Sequence, residues 1–206
     1  MKTGIFGGSF DPVHNGHIEI ARKAKNLFSL DRVYFVPCYI QPIKDRSLSD
    51  VEDRVAMLNI AVKNIKGFSV CMYEIEKKDV SYTIDTLRYI KSEKANEKLF
   101  FILGADSLSG IMSWKEPGSF SDLCEFIVYP RKGSDSGKIG DVLVKIPELR
   151  VNFVDGGEIN ISSSVIRRRV SEGKIDEISS LDEDVKKYIK ERRLYSIEKN
   201  GFEGNC

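Results

Sequence analysis

The sequence predicts a doubly wound α/β fold: a mainly parallel sheet with helices on both faces, and a small helical extension at the C-terminal end. Three observations carry this expectation. Short apolar runs recur through residue 154, patterns of helical period lie between them, and a glycine-containing motif directly after the first run opens into a helix. In such sheets the strands are joined by right-handed crossovers, and ligands sit beyond their carboxyl ends.

The strand candidates, in order, are TGIF (3–6), RVYFVP (32–37), FSVCMYE (68–74), KLFFILG (98–104), EFIVYP (125–130) and LRVNFV (149–154). They are rich in β-branched and aromatic residues and mostly unbroken by polar ones, the mark of strands buried on both faces. Ile18, Ala21, Ala24 and Phe28 form a helical stripe after the first run. Val51, Val55, Leu58, Val62 and Ile65 form a second, which Ser49 and Glu52 introduce at capping-box spacing. Ile84, Leu87 and Ile90 form a third. The polar, glycine-rich stretch Gly133 to Gly140 reads as a loop. From Ser162 the pattern is helical, closing with VKKYIKERR. The expectation is one domain over residues 1–206, with an α/β core over 1–160 and a helical part over 161–206.

Composition narrows the function. Thirty-two basic residues nearly cancel thirty-one acidic ones, so the broad positive field of a nucleic-acid-binding protein is missing and any polyanion bound should be small. Cysteines 38, 71, 124 and 206 are scattered, without CxxC or Cys/His spacing, which argues against structural zinc and a disulfide framework. No run of about 18 apolar residues is present, and Met1 leads straight into the first strand without a signal-peptide pattern. A cytoplasmic protein with no membrane partner is expected.

Residues 7–17 read GGSFDPVHNGH. Gly7 and Gly8 are expected to follow the first strand and, lacking Cβ atoms, to let backbone N–H groups approach a phosphate. The helix starting near Asn15 or Gly16 turns its positive end toward the same point. The spacing fits neither GxxxxGK[ST] nor GxGxxG. Asp11 and Pro12 read as turn architecture, the aspartate bonding nearby backbone. His14 and His17 are the chain's two histidines, at i, i+3. They could be solvated side chains, zinc ligands lacking a third partner, or donors to the oxygens of a transferring phosphate. Their position beside a phosphate cradle favours the last.

With these residues in view, the sequence resembles the HxGH nucleotidyltransferase superfamily, here His14-Asn15-Gly16-His17. INISSSVIRRRV (159–170) is similar to its late ISSTxIR element, with Ser164 in place of threonine. There Ser162 and Ser163 can cap a helix while Arg167 reaches toward phosphate, and Arg168 and Arg169 read as a solvated face. SYTIDTL (81–87), LFFILGADSL (99–108), MSWKEP (112–117) and the closing VKKYIKERRLY resemble segments of bacterial-type nicotinate-nucleotide adenylyltransferases, at close to that family's spacing over nearly the whole chain. Two departures stand out. Gln41-Pro42-Ile43-Lys44 replaces the usual PPHK, and Leu181-Asp182 replaces Leu-Pro, a change that touches helix capping rather than chemistry.

The resemblance implies a Rossmann-like nucleotidyltransferase fold that transfers AMP from ATP to nicotinate mononucleotide, with Mg²⁺ held mainly by ATP phosphates and no protein metal site. It implies that Gly7, Gly8, Ser9, Phe10, His14, His17, Gly104, Asp106, Ser162 and Arg167 line the ATP site. Lys44, Thr83 and Trp114 would hold the mononucleotide, and His14, His17, Arg167 and Lys44 would act on the transferring group. Structural readings stand beside these: Thr83 as a helix cap, Trp114 as a core anchor, Tyr82 as a packing residue. Asp106, ending an apolar strand, calls for a partner such as a ribose hydroxyl or Mg²⁺. A homo-oligomer is compatible with the sequence. The rival functions are adenylyl or cytidylyl transfer to another phosphorylated acceptor such as phosphopantetheine, and nucleotide sensing without turnover.

Overall fold

In the computed structural model, which describes residues 1–41, 48–130, 136–154 and 161–196, the six apolar runs become β1 (Lys2–Gly8), β2 (Arg32–Pro37), β3 (Phe68–Val70), β4 (Lys98–Gly104), β5 (Glu125–Tyr129) and β6 (Val151–Phe153). They form one sheet in the order β3-β2-β1-β4-β5-β6, every pairing parallel. The helices are α1 (Asn15–Leu27), α2 (Val51–Val62), α3 (Tyr73–Lys77), α4 (Thr83–Glu93), α5 (Ala105–Ser109), α6 (Ser136–Lys145), α7 (Ser163–Ser171) and α8 (Glu183–Glu191). Strand order reverses between β1 and β4, so their carboxyl ends flank the crevice where a doubly wound sheet binds ligands.

Two cores explain the unbroken apolar runs. Along β4, Leu99, Phe101 and Leu103 join one core with α4, α5 and α6, while Phe100 and Ile102 join the other with α1, α2, α7 and α8. Strand alternation therefore places apolar side chains on both faces. Gly4 lies in the middle of β1, where a Cβ would meet Leu30 Cδ1 at 2.8 Å and Ile102 Cδ1 and Val33 Cγ2 at 3.2 Å.

The structure corrects three expectations. The third run is a strand only over Phe68–Val70, and Tyr73–Lys77 is helical. As an edge strand, β3 has one neighbour, and the following helical turn lets buried Glu74 accept the Thr86 hydroxyl of α4 at 2.6 Å. Within the expected Gly133–Gly140 loop, residues 136–140 begin α6, because Ile139 and Val142 recur at helical spacing and bury against the core; residues 131–135 lie outside the described part. The capping box at Ser49 and Glu52 does not form. Asp50 is the N-cap of α2, and the inner face of that helix carries Asp53 and Arg54 beside Met57, Leu58 and Val62.

Those two charged residues face different partners. Asp53, 3% exposed, accepts Tyr188 OH at 2.8 Å and Arg192 Nε at 3.0 Å, tying α2 to α8. Asp182 caps α8 as its replacement of proline suggests, accepting the N–H groups of Asp184 at 2.9 Å and Val185 at 3.3 Å. Because hydrogen bonds to a buried charge contribute about 1.5–3 kcal/mol, Asp53→Ala should lower the urea-unfolding free energy by about that amount. A loss under about 0.5 kcal/mol would show that the Asp53 bonds do not hold α8 to α2.

Candidate active site

The sequence-predicted residues sort into two groups at the carboxyl ends of the strands. The first surrounds the turn after β1. Gly7 and Gly8 belong to the strand itself, in register with Val36 and Pro37, so the turn starts at Ser9 rather than at the glycines. At Gly8 a Cβ would press on the Phe10 ring at 3.2 Å, and at Gly7 it would make only ordinary contact with Phe101 at 3.5 Å. Phe10 adopts a left-handed φ of 47°, an uncommon backbone state held here by its ring, which is 1% exposed and lies 5.7 Å from both Phe6 and Phe35. Its side chain thus anchors the core, leaving the backbone to line the site.

The turn is pinned from far away in sequence. The Ser9 carbonyl accepts Arg54 Nη1 at 2.9 Å, the Asp11 carbonyl accepts Arg167 Nη1, and the Pro12 carbonyl accepts Ser163 Oγ at 3.0 Å. The Asp11–Pro12 bond is cis. Asp11 was expected to bond nearby backbone; its carboxylate, 1% exposed, also has partners far along the chain, accepting Tyr195 OH at 2.7 Å, with Oδ2 3.8 Å from Arg167 Nη1. Tyr195 and Arg54 escaped sequence reasoning. A tyrosine near one end and an arginine on a helix carry no periodic or spacing signal when their partners are 184 and 45 residues away.

His14 is the N-cap of α1 and His17 its third residue. Their rings stack at 3.7 Å with a 21° tilt, and the His14 N–H donates to His17 Nδ1 at 3.2 Å. That bond leaves the proton of the neutral His17 ring on Nε2, a donor. Phe10 packs against His17 at 5.1 Å and Phe6 at 5.9 Å, fixing the ring plane. The helix start is held by Asn15, whose N–H donates to the Ser180 carbonyl at 2.8 Å. The structure therefore brings His14, His17, Ser163 and Arg167 onto one turn.

Gly104 ends β4 and precedes α5, whose first turn carries Asp106. Asp106 is exposed, so burial does not by itself demand a ligand for it. Ser162 is the N-cap of α7, but its Oγ lies 2.7 Å from Ser164 Oγ instead of capping the helix. Arg168 and Arg169 form the expected solvated face, near Glu172 at 3.8 Å and Glu177 at 2.9 Å.

The second group lies at the start of α4. Tyr82 occupies the N-cap position, so Thr83 is the first helical residue and not the cap. Trp114 is half-buried, edge-on to Phe101 at 6.1 Å and to Phe120 at 5.7 Å, which meets the core-anchor reading on that side. Lys115 sits 4.9 Å over the Tyr82 ring and 3.0 Å from Asp85, and Glu116 pairs with Arg88, so the tryptophan segment is tied to α4. Burial alone would raise the Asp85 carboxyl, but Lys115 and Lys77 outweigh it and hold it below the usual range. Tyr39 N–H donates to Ser81 Oγ, and Ser81 N–H to the Ile40 carbonyl, both at 2.9 Å. Lys44, Pro42 and Ile43 lie outside the described residues.

Burial pushes the Cys38 thiol up to about 11, so no thiolate nucleophile stands beside the turn at neutral pH. Among the described residues, no group of three or more His, Cys, Asp or Glu side chains is placed to hold a metal ion, and no helix is long and apolar enough to cross a membrane. A cavity of about 640 Å³ between α1, the end of α2 and the start of α8 touches His14 and Asn15 but not His17 or Arg167, and so lies to one side of the imidazole pair.

Residues 5–169 match the cytidylyltransferase-like family. The chain is 40% identical over 164 residues to a probable nicotinate-nucleotide adenylyltransferase of Aquifex aeolicus, covering 78% of this chain and 98% of the relative. It is also 40% identical to the protein of that description from Geobacter sp. strain M21, covering 95% and 98% of the two. Among solved structures it resembles a Plasmodium falciparum nicotinic acid mononucleotide adenylyltransferase complexed with NaAD, with a TM-score of 0.76, 26% identity, and 95% and 98% coverage.

The Tyr195–Asp11 bond yields a pH dependence. Burial, and then the Asp11 carboxylate, push the Tyr195 phenol far above its ordinary value. A group whose folded pKa exceeds its unfolded one stabilises fully below the unfolded value, about 10 for tyrosine, and loses that contribution as pH rises above it. The urea midpoint should therefore hold to about pH 9 and fall as pH rises through about 10 and above, and Tyr195→Phe should flatten that fall while lowering stability at pH 8 by about 1–3 kcal/mol. An unaltered slope in the variant would remove Tyr195 from the linkage.

Proposed function

The chain belongs to the cytidylyltransferase-like family and, by its relatives, to the nicotinate-nucleotide adenylyltransferases, and from that premise we propose how its residues perform the reaction. The protein transfers AMP from ATP to nicotinate mononucleotide, forming nicotinate adenine dinucleotide and pyrophosphate. The observation that carries the residue assignment is the stacked His14–His17 pair at the start of α1, on the turn that also receives Arg167.

The acceptor's phosphate attacks the α-phosphorus of ATP in line. A phosphate dianion is already nucleophilic, so neither a general base nor a covalent intermediate is needed. Alignment of the reactants can lower the barrier by roughly 7–11 kcal/mol at most. The remaining task is electrostatic. The Nε2–H of His17, in the tautomer set by the His14 N–H, donates to phosphate oxygens as charge builds on them, with His14 beside it. Arg167 rests on Asp11 and is positioned to share charge with a triphosphate beyond the turn. The backbone of Gly7 to Phe10, together with Gly104, Asp106 and Ser162, lines the ATP side. Lys44, Thr83 and Trp114 hold the mononucleotide. Asp106, exposed in the first turn of α5, would be the carboxylate available to a ribose hydroxyl or to Mg²⁺ carried by the ATP phosphates, an ion that would supply charge neutralisation for the leaving pyrophosphate. A cytoplasmic setting agrees with free Cys38, Cys71 and Cys124.

Pyrophosphate release with ATP and nicotinate mononucleotide, compared with nicotinamide mononucleotide and phosphopantetheine, tests the substrate assignment: the nicotinate form should give the highest kcat/KM. His17→Ala should lower kcat by about 10²-fold or more, the scale of losing one well-placed donor. Unchanged turnover in a folded variant would reject the role given to His17.

A further inference from the structure

Arg54 of α2 is as deeply buried as Asp11, at 1% exposed. Its nitrogens donate to backbone carbonyls: Nε to Ser49 at 3.0 Å, Nη1 to Ser9 at 2.9 Å and Nη2 to Cys38 at 2.8 Å. No carboxylate of the described residues forms an ion pair with it. Nη1 also lies 4.0 Å from Cys38 Sγ. Burying a guanidinium on neutral acceptors, without a paired carboxylate, is less favourable for stability than apolar packing in the same place. What the guanidinium supplies, and an apolar residue or a lysine does not, is a rigid planar fork that spans three acceptors at once.

Those acceptors have a pattern. Ser9 opens the turn assigned to ATP, whereas Cys38 directly follows β2 and Ser49 precedes the first turn of α2, so the last two flank, in sequence, the stretch containing Lys44. We propose that Arg54 is a positioning residue for adenylyl transfer: from beneath, it locks the ATP turn, the exit of β2 and the start of α2 at one separation. The inference rests on the function given above, since it concerns how two reactants are held relative to each other. Arg54 is too buried to touch either substrate, and it acts through main chain. In a reaction without a base or a covalent intermediate, alignment carries much of the catalysis, and a displacement of about 1 Å can cost about 10²-fold.

Each substrate keeps its own contacts when the fork is lost, so the damage should fall on kcat. Steady-state kinetics of full-length Arg54→Gln and Arg54→Lys, with thermal melts to confirm folding, provide the test. In Arg54→Gln, kcat should fall about 10²-fold, and in Arg54→Lys, which keeps the charge but not the fork, about tenfold, with KM for ATP and for nicotinate mononucleotide within about threefold of wild type. Wild-type kcat in either folded variant overturns the proposal, as does a loss carried by KM. Failure of both variants to fold overturns it in favour of a purely structural arginine. The functional reading fails in a different place: wild-type enzyme that releases no pyrophosphate with nicotinate mononucleotide refutes that reading, and the role of Arg54 with it, before any variant is compared.

Discussion

Four carbonyls of one short stretch are held by four different donors: Gly8 by the Cys38 N–H, Ser9 by Arg54, Asp11 by Arg167 and Pro12 by Ser163. The rest of the site depends on this constraint. A turn between a strand and a helix ordinarily has several backbone states open to it, and ordering each residue costs about 1–2 kcal/mol. Here the acceptors are satisfied from β2's exit, α2 and α7, while the Phe10 ring pins the turn from inside. The imidazoles at the start of α1 therefore project from a frame held by the protein's own hydrogen bonds.

The frame has its own support. α2 bears Asp53 and Arg54 side by side, one turned to the C-terminal helix and the other to the site. The C-terminal segment returns to the same place through Tyr195 on Asp11. Strand order supplies the opening itself, because the reversal between β1 and β4 leaves a crevice that no crossover covers. The histidine turn and Gly104 lie at the ends of these two neighbouring strands, and Thr83 and Trp114 at the edge of the same layer of loops.

Much of this was legible from residue order. The six apolar runs, the stripe of α1, the histidine pair at its start and the change at Asp182 depend on local chemistry, which a sequence displays directly. The errors have a common physical origin. α6 was hidden because the polar and glycine residues at its start outweigh the two apolar ones that bury. The supposed cap at Ser49 failed because the helix begins one residue later than the Ser49–Glu52 spacing implies, with Asp50 in the N-cap position. The long-range partner of Asp11 was missed because nothing in its neighbourhood announces a tyrosine near the other end of the chain.

By itself, then, the sequence determined the alternating architecture and the set of imidazole, hydroxyl and guanidinium groups available, since periodicity and residue type are local properties. Only the tertiary structure decided which of those groups meet: the stacking of His14 on His17, the seating of Arg167 on Asp11, and the burial of Arg54 under the turn. Such pairings join residues whose separation along the chain says nothing about their separation in space, and they exist only once the sheet and both cores have closed around them.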